Sequence, residues 1–124
     1  MWLCLFCVAL LTASETISRQ AKITRVKDGD TVSVEIEMGL DVVKRDVVRL
    51  AGISVKDKTE ADKLATDFLK ATILGKTVRM DTEKDKREKY GRLLGTIWLG
   101  TTNINAMLIE RGWGKPWDGK GEAP

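Results

Sequence analysis

The sequence predicts a mainly β protein of the α+β class, and three observations lead to that prediction. The chain has 124 residues, of which 43% are hydrophobic and 31% charged, a composition that suits one globular domain. Several short runs alternate apolar and polar residues, as half-buried strands do. Two other segments repeat apolar residues every three or four positions, which is the spacing of amphipathic helices. We therefore expect five strands and two helices.

The predicted strands lie on both sides of the longer helix. The clearest is Thr31–Met38, where apolar residues occupy every second position. The Asp28-Gly29-Asp30 turn before it is of the Asp-Gly type that favours hairpins. The other four strands are predicted around residues 23–26, 42–53, 76–81 and 93–99. The charged segment Thr82–Arg92 between the last two strands is predicted to be a loop.

The two helices have recognisable ends. The longer one is predicted within Asp57–Leu74, with Thr59 as its N-cap and Gly75 as its stop. Its apolar stripe consists of Ala61, Leu64, Ala65, Phe68, Leu69 and Ile73. A short C-terminal helix is predicted over Asn103–Arg111. This order of elements favours a five-stranded, partly open Greek-key barrel, the OB-fold.

The first twenty residues differ from the rest of the chain. Met1–Ala13 is almost entirely apolar but shorter than the ~20 residues that span a bilayer, which indicates a signal peptide over residues 1–20. An uncleaved anchor and a buried strand or helix are the alternatives. Cys4 and Cys7 both lie in this segment. We expect a folded domain over residues 21–117 and a flexible tail over 118–124. The protein is then secreted or periplasmic, monomeric, and without stable membrane insertion after processing.

The composition also limits the chemistry. The chain contains no histidine, which excludes Ser/His/Asp and Cys/His nucleophilic catalysis and the histidine-based zinc proteases. Hydrolysis would depend on carboxylates, cationic side chains and a hard metal ion. The 21 Lys and Arg residues exceed the 18 Asp and Glu residues, and the net charge of +3 favours polyanionic partners without identifying them.

Two places carry charged side chains that suit phosphate chemistry. Asp28 and Asp30 flank Gly29 in a tight turn, where two carboxylates can bind a hard divalent cation. The alternative is a hairpin turn with no further role. Arg49 lies in an otherwise apolar run, where it either covers a surface or points into a cleft to bind a phosphate.

Two further places combine aromatic and basic residues, as nucleic-acid surfaces do. Lys89, Tyr90 and Arg92 lie in the predicted charged loop, whose simpler interpretation is a solvated surface. Trp113 and Trp117 lie near the C-terminus. Trp113 follows a helix stop and is expected in the core, whereas Trp117 is expected to be an exposed stacking surface.

Five motifs in order resemble the staphylococcal nuclease family. They are Val26–Thr31 (VKDGDT), Val48–Ile53 (VRLAGI), Leu74–Val78 (LGKTV), Glu88–Gly95 (EKYGRLLG), and Asn103–Asn105 followed by Leu108–Gly112 (LIERG). The resemblance extends from about Ile23 to Trp117. It implies an OB-fold and calcium-dependent cleavage of DNA and RNA phosphodiester bonds, with no small-molecule cofactor.

The resemblance also implies roles for particular residues. Asp30 matches the family's calcium-binding aspartate, and Asp28 is expected to support Asp30 without binding the calcium directly. Arg49 and Arg92 match the two arginines that contact the phosphate and stabilise the charge that develops on it. Lys89, Tyr90 and Trp117 are the expected nucleic-acid contacts.

The chain departs from the family pattern after the third strand. Ser54 occupies the position of the second calcium-binding aspartate, and Lys56 replaces a proline. The Ser54 hydroxyl and the Val55 carbonyl are the remaining expected oxygen ligands. Asp57 matches the glutamate that activates water but is one methylene shorter, and Glu60 is the alternative base. The expectation is a nuclease of reduced activity, with an inactive nucleic-acid-binding module as the alternative and a protein-binding adaptor as the least supported one.

Overall fold

The computed structural model describes residues 15–124 and contains eight strands and two helices within them. The strands are β1 (Thr16–Asp28), β2 (Thr31–Gly39), β3 (Val42–Leu50), β4 (Ile53–Ser54), β5 (Thr77–Arg87), β6 (Leu93–Leu99), β7 (Thr102–Asn103) and β8 (Lys115–Pro116). The helices are α1 (Glu60–Thr72) and α2 (Ile104–Glu110). The mainly β class is therefore confirmed. The five longer strands correspond to the predicted ones, while the three two-residue strands were not expected.

One curved sheet makes up most of the molecule. Its strand order is β3-β2-β1-β5-β6-β7, and β3 also pairs with β6 in parallel. The antiparallel β1–β2–β3 meander, with α1 inserted before β5, is the arrangement expected of the OB-fold. The small β4–β8 pair brings the C-terminal segment next to the chain that follows β3.

The core lies between the sheet and the helices. Val32, Val34 and Ile36 of β2 are each at most 3% exposed, which confirms the alternation read from the sequence. Ala65 and Leu69 of α1 are fully buried, and α1 begins after Thr59, whose hydroxyl accepts the Asp62 N–H. Neither helix of residues 15–124 is both long enough and apolar enough to cross a membrane.

The predicted loop over residues 82–92 is wrong for its first half, because β5 continues to Arg87. Charged side chains cover this part of β5: the carboxylate of Asp85 pairs with Arg19 at 2.6 Å, and Arg87 pairs with Asp46 at 2.8 Å. The β5–β6 register shifts between Thr82 and Arg87, with Asp85 at a φ of 54°. An exposed, irregular strand of this kind has the composition of a loop, so composition alone does not reveal it.

The third predicted strand is too long at its C-terminal end. β3 ends at Leu50, and the chain turns at Ala51 and Gly52 before β4 begins at Ile53. Gly52 has a φ of 78°, which only glycine adopts readily. The turn sends Ser54 and the residues after it toward the Asp28–Asp30 hairpin.

The N-terminal part of β1 overlaps the predicted signal peptide. Residues 1–14, including Cys4 and Cys7, lie outside the described part of the chain. The segment from Thr16 to Gln20 pairs with β5, Thr16 opposite Glu83 and Gln20 opposite Arg79. The predicted boundary after residue 20 would therefore divide a continuous strand, because β1 begins at Thr16. Both the boundary and the predicted tail over 118–124 stay predictions.

Candidate functional site

The candidate site is built on the Asp28–Asp30 turn, which is anchored to α1. The backbone N–H of Gly29 donates a hydrogen bond to Asp62 Oδ1 at 2.8 Å. A Cβ atom at position 29 would lie 2.8 Å from Val55 Cγ1 and 2.9 Å from Asp62 Oδ1, so the turn packs against α1 more closely than any side chain permits. The glycine therefore serves packing here as well as the turn.

Asp30 lies at the centre of the site. Its Oδ2 accepts a hydrogen bond from the Val55 backbone N–H at 3.2 Å and lies 3.5 Å from Arg49 Nη2. Its Oδ1 accepts a bond from the Thr31 hydroxyl at 3.0 Å. One carboxylate thus connects the hairpin, the segment after β4 and the end of β3.

Arg49 is nearly buried, with 8% of its surface exposed. It lies opposite Thr31 in the β2–β3 pairing, and its Nη1 donates to the Leu50 carbonyl at 3.2 Å. The centre of its guanidinium group lies 4.8 Å from the centroid of the Trp117 ring. Arg49 therefore points into a cleft, as one of the two sequence-based interpretations expected.

Arg92 reaches the same group of residues from the other side. Its Nη1 donates to the Thr31 hydroxyl at 3.3 Å, while its Nε and Nη2 both bind the Glu88 carboxylate at 3.1 Å. This fork lowers the pKa of Glu88 and raises the pKa of Arg92. A chain of contacts therefore runs from Arg49 through Asp30 and Thr31 to Arg92, so that the two predicted arginines flank Asp30.

The two turn carboxylates lie close to one another. Asp28 Oδ1 accepts the backbone N–H of Asp30 at 3.1 Å. Burial raises the pKa of Asp28, and the neighbouring Asp30 carboxylate adds to the effect. Burial and like charge both disfavour the ionised form of Asp28, and a cation bound at the turn would offset that cost.

The donors near Asp30 suit a hard cation but are few. Asp28 and Asp30 provide two carboxylates, and Ser54, which is 5% exposed, and Val55 provide neutral oxygen atoms. Calcium takes six to eight oxygen ligands. These residues provide the type of ligand that calcium prefers, but water would have to fill most of its coordination positions. Within residues 15–124, no group of three or more His, Cys, Asp or Glu residues is arranged to hold a metal.

The two candidate bases lie at the surface around the start of α1. Asp57 and Glu60 are both exposed, as is Lys56. Among residues 15–124, no hydrogen bond joins the carboxylate of Asp57 or Glu60 to Asp30, Arg49 or Arg92. The described structure brings the arginines and Asp30 together but does not link either base to them.

A cleft of about 450 Å³ extends from Arg49 over the outer face of β6. Its lining includes Leu94, Thr96 and Trp117, together with the carboxylates of Asp81 and Glu83. Trp117 is half-buried against Arg49 rather than exposed, because its backbone N–H bonds to the Gly52 carbonyl at 2.9 Å.

The other predicted aromatic and basic residues do not line this cleft. Tyr90 is 73% exposed beside Arg92, and the Lys89 ammonium lies 5.2 Å from the centroid of its ring. Trp113 packs against the core and against Phe68, with 5.5 Å between the ring centroids, as expected of a core residue.

Three residues of the site were not identified as site residues from the sequence. Asp62, three residues after the N-cap Thr59, accepts the Gly29 N–H and so holds the turn, and it also accepts the Lys58 N–H at 3.0 Å. Thr31 bridges Asp30 and Arg92. Glu88 orients Arg92, and its position four residues earlier is the signal that could have identified it.

Comparison with known proteins supports the resemblance. Residues 47–117 match the family model described as staphylococcal nuclease homologue. The chain is 33% identical over 98 residues to a thermonuclease of Staphylococcus hyicus, covering 73% of this chain and 55% of the relative. It is 33% identical over 97 residues to a thermonuclease of Staphylococcus intermedius, with the same shares covered.

A third relative matches over a longer segment. The chain is 30% identical over 118 residues to the protein ParB of Escherichia coli, which covers 85% of this chain and 62% of the relative. The chain spans little more than half the length of the curated thermonucleases it matches.

Proposed function

Because the chain belongs to the staphylococcal nuclease family, we propose that it hydrolyses phosphodiester bonds in DNA and RNA. The observation that carries the proposal is the placement of Arg49 and Arg92 on either side of Asp30. Guanidinium groups can hold a phosphate through paired N–H donors. They also stabilise the negative charge that increases as the phosphorus is attacked.

The site is prepared to hold a substrate phosphate in one orientation. Arg49 is kept in place by the Leu50 carbonyl and the Trp117 ring, and Arg92 by Glu88. Because partners already fix both side chains, less conformational freedom is lost when a phosphate binds. Lys89 and Tyr90 lie at the exposed end of the site, where they would contact the neighbouring nucleotide.

Calcium is the proposed cofactor, held by Asp30 with help from the oxygen atoms of Ser54 and Val55, while Asp28 supports Asp30 without binding the ion directly. When bound, it would supply the Lewis-acid stabilisation of phosphate charge that hard cations provide. The replacement of one carboxylate by Ser54 removes a negative charge from the donor set. We therefore propose weaker calcium binding than a site with two opposed aspartates would have.

Either Asp57 or Glu60 is proposed to orient the attacking water. Both are exposed residues around the start of α1, and the shorter Asp57 side chain leaves its carboxylate roughly 1.5 Å back from the position of a glutamate. A displacement of about 1 Å can reduce a rate on the order of 100-fold. The proposed enzyme is therefore a slow nuclease.

Binding without turnover is the second candidate function. Asp30 already accepts hydrogen bonds from Val55 and Thr31 and lies beside Arg49, while neither candidate base is hydrogen-bonded to this group in residues 15–124. Such a site retains the phosphate contacts of a nuclease and lacks a positioned base. It would bind nucleic acid in a salt-dependent way and release no product.

One experiment separates the two candidates. The purified chain is incubated with single- and double-stranded DNA and with RNA, first in calcium and then in chelator, and the products are resolved on gels. A nuclease gives chelator-sensitive cleavage that Arg92→Ala abolishes. Arg92→Lys keeps the positive charge but cannot donate two parallel N–H hydrogen bonds to a phosphate. Arg45→Ala, which removes an arginine whose side chain is 88% exposed, is the matched control and should not change the rate. A shift of the nucleic acid to lower mobility in the gel, without cleavage products, supports the binding module.

We also propose that the protein is secreted or periplasmic after removal of an N-terminal signal peptide, and that it acts as a monomer. The apolar composition of Met1–Ala13 supports the first proposal. N-terminal sequencing of protein from the culture medium or periplasm would identify the cleavage site, and light scattering would give the mass in solution. Intact Met1 on the exported protein, or a dimer mass, would contradict these proposals.

A further inference from the structure

We infer that Trp117 is a positioning residue for Arg49, and not a surface on which a nucleic-acid base stacks. The inference rests on the proposed function only in assigning Arg49 to the substrate phosphate. The contact that carries it is the 4.8 Å separation between the Arg49 guanidinium carbon and the centroid of the Trp117 ring. The ring face that Arg49 covers is not free to receive a base.

The contact with Trp117 does not use the N–H donors of Arg49, which face other atoms. A guanidinium group is planar, and when its flat face is covered by an aromatic ring its N–H donors remain free around the edge. On Arg49 that edge carries the contacts to the Leu50 carbonyl and to Asp30 Oδ2. Trp117 therefore restricts how Arg49 rotates without competing for the donors that would bind a phosphate.

Trp117 is itself held by backbone contacts that are independent of Arg49. Its N–H donates to the Gly52 carbonyl at 2.9 Å, directly after the β4–β8 pairs that join Ile53 to Pro116 and Ser54 to Lys115. The indole Nε1–H donates to the Lys120 carbonyl at 2.9 Å. The backbone and the indole nitrogen of Trp117 are thus both held by hydrogen bonds. The ring can therefore restrict the conformations of the flexible arginine side chain that packs against it.

The chain offers a matched comparison outside the site. Arg79 lies over the Trp98 ring, with 4.9 Å from the guanidinium carbon to the ring centroid, on the paired strands β5 and β6. This pair has the same chemistry and nearly the same distance as Arg49 and Trp117. Trp98→Leu therefore controls for the general effect of removing a tryptophan from an arginine–indole pair.

The contact is tested first without reference to activity. In a protein labelled with ¹⁵N, the Arg49 Nε–H signal is identified by its loss in Arg49→Lys. The indole ring should shield this proton, so that Trp117→Leu moves the signal to the position of an ordinary arginine, Trp117→Phe moves it part of the way, and Trp98→Leu leaves it unchanged. A signal that does not move in Trp117→Leu overturns the inference. If that variant does not fold, Trp117→Phe decides, and an unmoved signal overturns the inference in the same way.

The second test separates positioning from base stacking. Hydrolysis rates are compared on single-stranded DNA and on an abasic tetrahydrofuran phosphodiester oligomer, which contains neither a nucleobase nor any other aromatic group. Positioning predicts that Trp117→Leu lowers kcat/KM on both substrates by a similar factor, about 2- to 30-fold, mainly through kcat. Trp117→Phe should retain part of the rate, and Trp98→Leu all of it. A loss confined to DNA overturns the inference in favour of base stacking.

If the wild-type chain hydrolyses neither substrate, the proposed nuclease function fails while the inference can still be judged. Inorganic phosphate is then titrated against the Arg49 signal in the wild type and in Trp117→Leu. Weaker phosphate binding in the variant supports the inference. Equal affinity in the two proteins overturns it.

Discussion

At the scale of single residues, the site depends on a few positions where neighbouring atoms restrict either the size of the residue or the orientation of its side chain. Gly29 is limited by close packing, Asp30 by three polar contacts, and Arg49 by burial beside Trp117. The Asp-Gly-Asp pattern was sufficient to select Gly29 and Asp30 from the sequence. The partner Thr31 was not identifiable in the same way, because a threonine in an alternating strand has many uses.

Gly29→Ala should destabilise the protein by about 1–3 kcal/mol. The new methyl group would lie 2.8 Å from Val55 Cγ1 and 2.9 Å from Asp62 Oδ1, so the turn would have to move away from α1. Chemical unfolding of the variant measures the effect. Gly114→Ala is the control, since its methyl group would lie 3.5 Å from the nearest atom, an ordinary contact. Equal stability of Gly29→Ala and the wild type would contradict the packing described.

Ser54→Asp should increase calcium affinity on the order of tenfold, because it adds a carboxylate to the donors around Asp30. Without calcium the variant should be less stable than the wild type, since position 54 is 5% exposed and the new charge would be buried. Isothermal titration with calcium and thermal unfolding with and without the ion test both expectations. Ser33→Asp, with the same added charge on β2, should bind calcium no better than the wild type does.

At the scale of elements, β1 and β5 join parts of the chain that the sequence suggested were unrelated. The predicted signal peptide and the predicted charged loop both contribute residues to this pairing, from Thr16 opposite Glu83 to Gln20 opposite Arg79. The apolar run before residues 16–20 assigned them to a signal peptide, and charged side chains such as Asp85 assigned residues 82–87 to a loop. Strand pairing depends on the backbone of a partner, and a single segment does not reveal whether that partner exists.

A chain that begins at Ala21 should be less stable than one that begins at Glu15, on the order of 2 kcal/mol. The shorter chain loses the hydrogen bonds of Thr16–Gln20 to β5 and the ion pair of Arg19 with Asp85. Urea unfolding of the two chains measures the difference. Arg19→Ala in the longer chain should lose less, because it removes the ion pair and keeps the backbone pairing. If the two chains were equally stable, the pairing of residues 16–20 would contribute nothing.

At the scale of the whole molecule, ion pairs join distant strands and make stability depend on acid pH. A hydrogen bond from Arg87 of β5 lowers the pKa of Asp46 on β3, with Lys44 adding to the effect. A hydrogen bond from Arg19 of β1 lowers the pKa of Asp85 on β5 to about 2. Both folded-state values lie below the ordinary 3.8, so the unfolded chain binds more protons in this range.

Stability from these two carboxylates should therefore be complete above pH 3.8 and be lost as the pH falls from 3.8 toward 2. The measurement is the free energy of unfolding at several pH values for the wild type and for Asp46→Asn. Their difference should be largest at neutral pH and should shrink below pH 3.8, because Asp46 is protonated first in the unfolded chain, which stabilises the unfolded state of the wild type but not that of the variant. A difference that persists unchanged at the lowest pH would show that charge is not the source.

Local patterns in the sequence are enough to predict the main elements and the candidate chemistry. Alternating and helical spacing are local properties, so five strands and two helices followed from them, and the absence of histidine limited hydrolysis to carboxylates, arginines and a metal ion. Which of these groups meet depends on the tertiary structure. Along the chain Arg92 lies 61 positions from Thr31 and therefore 62 from Asp30, and their approach depends on the register of the strands, including the parallel β3–β6 pair. The half-buried position of Trp117 against Arg49 has the same origin, because contacts between distant segments follow from the path of the whole backbone.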